Sequence, residues 1–462
     1  MSRPVVLTLV LVLALAGMLA IFLLQRPQEI PLTPAREKSP GTIPPPVAAA
    51  PEFSAPAAVF SPPPAPRAVF DRLLEALRAG DRERAKQLLE ELRRSFIPAP
   101  VPDKENAALL YKEAFAKYPE GMTDEEAGLV ERLSAGRAIT AEERATLEKV
   151  LERGRESLEL LHLAGGFPRC DFGLDYSKGL AMELPHISGM IRAAKLLALE
   201  ALLGEGPDVE RSAEAVLRLA EGTAGEPILV SQLVRGVCHG IASEVQERAF
   251  QGDLPQETLN RLIRGLAPEA MRGAYEKAML FELYAGVKFV LEGGSAKVFG
   301  IPEDTPLRRP DDPLTPEDLA HYASTLSEYA SLAGGPYYEV RDRVARLYQE
   351  RVEGAPWFAE VSRMLMPSLD RALAARAAAE ATAGAGQLAA ALRIYRIGHG
   401  AYPDSLESLG GTVPGMPLDP FTGKPYRYRR EGSGFVVWSV GKDGTDGGGV
   451  SKDSDVIFRS PR

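Results

Sequence analysis

The chain has 462 residues, 45% of them hydrophobic and 25% charged, an ordinary globular composition with room for two or three domains. Its formal charge of -9 reflects 63 acidic against 54 basic side chains. Such a surface does not attract a phosphate backbone and no basic cluster restores a nucleic-acid reading, so no nucleic-acid partner is expected.

The first element is apolar. Residues 5–24 read VVLTLVLVLALAGMLAIFLL, without a charge and with Thr8 the only hydroxyl. As a helix this run is about 30 Å long, the thickness of a hydrocarbon core. Arg3 precedes it and Arg26 follows. It predicts a stub and single-pass anchor over residues 1–26, in the inner (cytoplasmic) membrane, with the bulk of the chain on the periplasmic or extracytoplasmic side. The competing reading is a cleaved signal peptide with Ala14-Leu15-Ala16 as its small-x-small site. A cut there would leave a further apolar run on the mature chain, so the retained anchor is preferred. Residues 27–69 are rich in proline, alanine and serine, with PPP at Pro44–Pro46 and Pro62–Pro64. Proline lacks the donor that helices and ladders use, so an extended stalk is expected.

From Phe70 the period becomes helical, and residues 70–366 read as an all-helical domain. Leu73, Leu74, Leu77, Leu88, Leu89, Leu92 and Phe96 fall at helical spacing, divided at Gly80-Asp81. A helix is expected to start at Pro102-Asp103. Thr123 with Glu126, and Thr140 with Glu143, have capping-box form. Further helices are expected at 188–203, 209–220, 226–250, 255–266, 269–291, 316–333 and 339–352. Amphipathic helices with short links must pack on one another, as a bundle or an irregular solenoid.

Local catalytic motifs are missing from this stretch. No two of His162, His186, His239, His321 and His399 have zinc spacing, no GxSxG flags a serine, and there is no phosphate-binding glycine loop. Asp171, Asp175, Glu183 and His186 lie close together in PRCDFGLDYSKGLAMELPHISGM. Two readings stay open for them: a cleft rim, or a turn in which Phe172 and Leu174 pack, the polar groups cap and His186 starts a helix. The second is preferred. Cys170 and Cys238 are the only cysteines, and two free thiols are preferred over a disulfide.

Residues 367–462 change character again. An alanine-rich helix runs to Gly398, then a turn at Pro403-Asp404-Ser405, then KPYRYRR, GFVVWSVG and DVIF as three short strands. The expected fold is therefore multidomain: a transmembrane helix, a mostly α-helical middle domain and a C-terminal α+β domain with a small antiparallel sheet. The blocks YRIGHGAYPDSLESL, PLDPFTGKPYRYR, GSGFVVWSVGKDGTDGG and KDSDVIF resemble the globular part of the major pseudopilin of type II secretion. The whole arrangement also resembles membrane-anchored envelope proteins of planctomycete-like bacteria, a likeness that implies no reaction. The pseudopilin resemblance implies a pilin-like domain whose last interstrand loop holds Ca2+.

Asp443, Asp446, Asp453 and Asp455 can supply carboxylate oxygens to such a hard cation, with a carbonyl near Val440, and the five glycines between 441 and 449 allow the turns. By analogy with the family, Asp453 and Asp455 are the first candidates. The alternative is a solvated polar loop. This N-terminus lacks the pseudopilin's processing site, and its apolar segment is far from the pilin-like helix, which argues against filament assembly. The functional expectation is a non-enzymatic envelope scaffold or adaptor, bound to the membrane by its N-terminal helix and to an envelope or secretion-related protein. An extracytoplasmic hydrolase with its site in the helical domain, and a pseudopilus-type filament subunit, are the alternatives.

Overall fold

A computed structural model describes residues 65–460, apart from 135–136, 293–314, 357–358, 360–361, 363–365, 367–368, 414 and 451–454. The apolar segment at 5–24 and most of the stalk lie outside the described residues. Among the described residues no helix is long and apolar enough to cross a membrane.

The described chain is mostly helical with one small sheet. Its α-helices are α1 (Ala65–Arg78), α2 (Arg82–Phe96), α3 (Ala108–Lys117), α4 (Asp124–Ser134), α5 (Ala141–Arg153), α6 (Arg155–Ala164), α7 (His186–Leu203), α8 (Pro207–Glu221), α9 (Leu229–Ala249), α10 (Gln256–Gly265), α11 (Ala270–Leu291), α12 (Pro316–Ala333), α13 (Tyr337–Tyr348) and α14 (Leu369–His399). The α1–α2 break falls at Gly80, whose φ of 70° suits glycine, and Asp81 then caps α2. Both expected capping boxes form. Thr123 and Glu126 exchange side chain-to-backbone bonds at 3.2 and 2.8 Å, and Thr140 and Glu143 at 3.1 and 2.8 Å.

Three expected helices are cut by long-range polar contacts or by a local backbone change. The one expected from Pro102 is a single tight turn over Asp103–Glu105, and the α-helix starts only at Ala108. Between them the Asn106 side chain bonds both the carbonyl and the amide of Asp171, each at 2.9 Å. The helix expected from Glu226 starts at Leu229, because Pro227 disfavours a helical Glu226 and that carboxylate is used elsewhere. α13 ends at Tyr348 and continues to Glu353 as a π turn.

Two apolar cores form. One joins α1 and α2 to α11, α12 and α13, through Leu73, Phe96, Phe281, Tyr284 and Leu347 among others. The other joins α3–α10 to the C-terminal sheet. α14 belongs to both: Leu369, Ala372 and Leu373 sit in the first, while Ala383, Leu388 and Leu392 sit in the second. The second core therefore continues across the residue 366/367 boundary expected from the sequence. Arg376, fully buried on α14, donates to the carbonyls of Ala333 and Gly335 at 2.6 and 2.9 Å and so caps the C-terminal end of α12.

The three expected strands form an antiparallel sheet in the order β1 (Arg427–Glu431), β2 (Gly434–Ser439), β3 (Val456–Arg459). The central strand β2 is buried throughout. Alternation splits its side chains: Phe435 and Val437 face the helical core with Phe458, while Val436 and Trp438 cluster with Ile457 on the other face. The loop after β2 lies on that second face. A Cβ on Gly449, whose φ is +66°, would sit 2.9 Å from the Trp438 ring.

Candidate functional site

In the acidic loop, each described aspartate is engaged locally. The Asp443 carboxylate accepts the Thr445 amide at 3.0 Å. Asp446 accepts the Trp438 indole N–H at 2.9 Å, the Gly448 amide at 3.0 Å and the Arg427 Nε at 3.1 Å. Those donors hold its carboxyl below the usual carboxylate range, Trp438 most strongly. Asp455 is 2% exposed, makes no ion pair among the described residues, and accepts the amides of Gly447 and Gly449 at 3.1 and 2.9 Å. Val440 is buried at the end of β2, and its amide donates to Asp419. Asp453 lies outside the described residues. Among the described residues no three His, Cys, Asp or Glu side chains gather closely enough to hold a metal ion.

Asp419 is the organising acid that sequence reasoning passed over. It is 2% exposed, and it accepts from the Ser439 hydroxyl at 2.9 Å, the Val440 amide at 3.2 Å and the Phe421 amide at 2.9 Å. Its backbone closes the following turn with Thr422, Gly423 and Lys424. It is therefore the pin that fixes the end of β2. Its only sequence signal is its place ahead of Pro-Phe-Thr-Gly in a turn.

A cleft lies in the helical part. It has a volume of about 400 Å³ and is walled by Lys112 and Phe115 of α3, the segment Phe172–Glu183, and Pro185 and His186 at the start of α7. α3 approaches α7 at Gly189, where a Cβ would meet the Phe115 ring at 2.5 Å. The segment is held by Asn106 and by the Lys112 ammonium, which donates to the Phe172 carbonyl at 2.8 Å. Asp171 and Asp175 are spent locally: they accept from the Gly173 amide at 2.8 Å and from the Ser177 amide and hydroxyl at 3.1 and 2.5 Å. Phe172 and Leu174 pack as expected, and His186 opens α7. The turn and the cleft rim are thus two aspects of one segment.

His186 is 2% exposed and stacks on Phe172, ring centres 4.2 Å apart. Its Nε2 lies 3.1–3.2 Å from the two Glu226 carboxylate oxygens. Its Nδ1 is buried with no hydrogen-bond partner among the described residues. Two further histidines repeat the pairing: His162 with Glu200 and His239 with Glu221, both at 2.7 Å. Ser231 donates to Glu226 and Ser212 to Glu200. In each case the hydroxyl bonds the carboxylate and not the imidazole, the wrong order for activating a serine. His321 Nδ1 pairs with the Ser362 hydroxyl at 2.8 Å, and His399 with the Tyr395 carbonyl at 2.9 Å. The glutamates of the His–Glu pairs were missed because they lie 18 to 40 residues away on other elements.

Both cysteines are free. Burial pushes the Cys238 thiol up to about 12 and raises that of Cys170, so neither is a reactive thiolate. No family model, curated relative or solved structure matches this chain.

Proposed function

We propose that the chain is a non-enzymatic, membrane-tethered envelope protein that works as a scaffold or adaptor. The observation that supports this most is the placement of α14. The helix that resembles a pilin rod is covered by α9, α10 and the sheet, with Leu388, Ala389, Ala390, Ala391 and Leu392 all buried. A helix spent inside its own molecule is not free to form a filament core, which disfavours the pseudopilus reading. The helical array then offers its outer surface to an envelope or secretion-related protein. Native pull-down of the full chain from membranes should retain the same protein partners across several conditions, and recovery of none would remove the scaffold role.

Calcium in the C-terminal loop is part of the same proposal. Its support is the loop's acid and glycine pattern together with Asp455, a buried carboxylate that accepts two amides and, among the described residues, meets no cationic side chain. The residues that would hold the ion are Asp443, Asp446, Asp453, Asp455 and the Val440 carbonyl. As they stand, the described members do not converge, and Arg427 competes for Asp446. Metal bound only by the folded form stabilises it. Calorimetric titration of the full chain should show one calcium site and chelation should lower its melting temperature; a flat titration at millimolar calcium would remove the ion from the account.

The hydrolase reading draws on one observation, the His186–Glu226 pair beside a cleft. It requires water as the nucleophile, since Ser231 is bonded to Glu226. Hydrolysis abolished by His186→Gln in a chain of unchanged melting temperature would replace the scaffold reading with this one.

A further inference from the structure

We propose that the cleft beside His186 binds a small zwitterion with an apolar side chain, the chemistry of a free apolar amino acid. The inference goes beyond the scaffold reading and stands independently of it. Four features of the cleft point to this class.

The first is polarity at one end. α7 opens into the cleft with no side-chain cap on its first amides and no acidic residue in its first turn. Lys112 and Lys178 line the same cleft. A carboxylate fits that end.

The second is the unpartnered Nδ1 of His186. With Nε2 committed to Glu226, Nδ1 is the ring's remaining polar atom, as it is in His162 and His239, but only the His186 ring lines this cleft: Nδ1 is an acceptor as imidazole and a donor as imidazolium. A buried polar atom without a partner carries a cost that a bound polar group would remove.

The third is a pair of unspent opposite charges on the rim. Lys178 and Glu183 are both exposed, and neither makes an ion pair among the described residues. Asp175, the other acid of the cleft, already accepts two bonds from Ser177. Glu183 is thus the carboxylate left for a ligand ammonium, opposite in sign to the lysine end.

The fourth is the wall. Phe115 and Phe172 lie nearly parallel, 17° apart with ring centres 6.5 Å apart, and supply apolar surface for a side chain. The volume of about 400 Å³ suits a small molecule and is too small for a folded partner.

The test is calorimetric titration of the full chain with L-phenylalanine and L-leucine, beside 3-phenylpropionate, which lacks the ammonium, and phenethylamine, which lacks the carboxylate. The amino acids should bind, and each truncated analogue should bind at least about tenfold more weakly than phenylalanine. Lys178→Met should reduce the preference over phenethylamine, with Lys112 and the start of α7 still present, and Glu183→Gln should erase the preference over 3-phenylpropionate. Both positions are exposed, so melting temperatures should stay unchanged. No saturable binding of either amino acid at millimolar concentration would overturn the proposal. Binding indifferent to both substitutions would also overturn it, as would 3-phenylpropionate binding as tightly as phenylalanine.

Discussion

Glu221 and Glu282 are both packed among helices, and they respond to pH in opposite senses. Burial acts to raise the Glu221 carboxyl, but the Arg235 guanidinium and the His239 ring outweigh it and hold it down at about 2. Its stabilising contribution is present above the ordinary value of 4.5 and is lost as pH falls towards 2. Among the described residues Glu282 has only the Leu229 amide at 3.3 Å to set against burial, which pushes it up to about 7. Its contribution is present below 4.5 and is lost as pH rises through about 7, because the folded state then holds an ionised carboxyl with one weak donor. Glu282→Gln should therefore stabilise the chain by about 1–2 kcal/mol at about pH 8 and flatten the slope below it. Urea unfolding across that range checks this, and parallel profiles for the two proteins would show that Glu282 does not set the slope.

At the scale of elements, what reads from local pattern is what local interactions decide. Gly80-Asp81, the two Thr…Glu boxes and the dense β-formers of GFVVWS all produce the elements their spacing implies, because caps and alternation act within a few residues. Asn106 and Glu226 do not, since each is diverted by a partner 65 or 40 residues away. The same separation hides the His–Glu pairs and most of the cleft, of which only the Asp171–His186 segment is contiguous. The role of Asp419 is hidden similarly, as its donors Ser439 and Val440 arrive from β2. Asp419→Ala would leave a buried hydroxyl and two buried amides without acceptors. The expected cost is about 2–4 kcal/mol in chemical denaturation, with Asp419→Asn costing less because it keeps part of the acceptor set. A loss no larger than that of a surface aspartate would mean that β2 is held by its ladder alone.

At the scale of the whole molecule, α14 is the connecting part. It begins in the core of α1, α2 and α11–α13 and ends in the core that includes the sheet. Arg376 ties it to α12, and the Gln387 side chain donates to the Ile263 carbonyl at 3.0 Å and so ties it to α10. In this arrangement α14 is an internal strut, and the sheet closes the end of a helical array. The scaffold reading proposed above depends on that strut, because a C-terminal unit that opened on its own would uncover the buried face of α14.

Hydrogen exchange on the full chain tests this most directly. Amides of Leu369–His399 and of β2 should exchange as slowly as those of α9, through one shared opening of the molecule. Fast, independent exchange of the long helix and sheet, with α9 still protected, would contradict the strut and the function built on it.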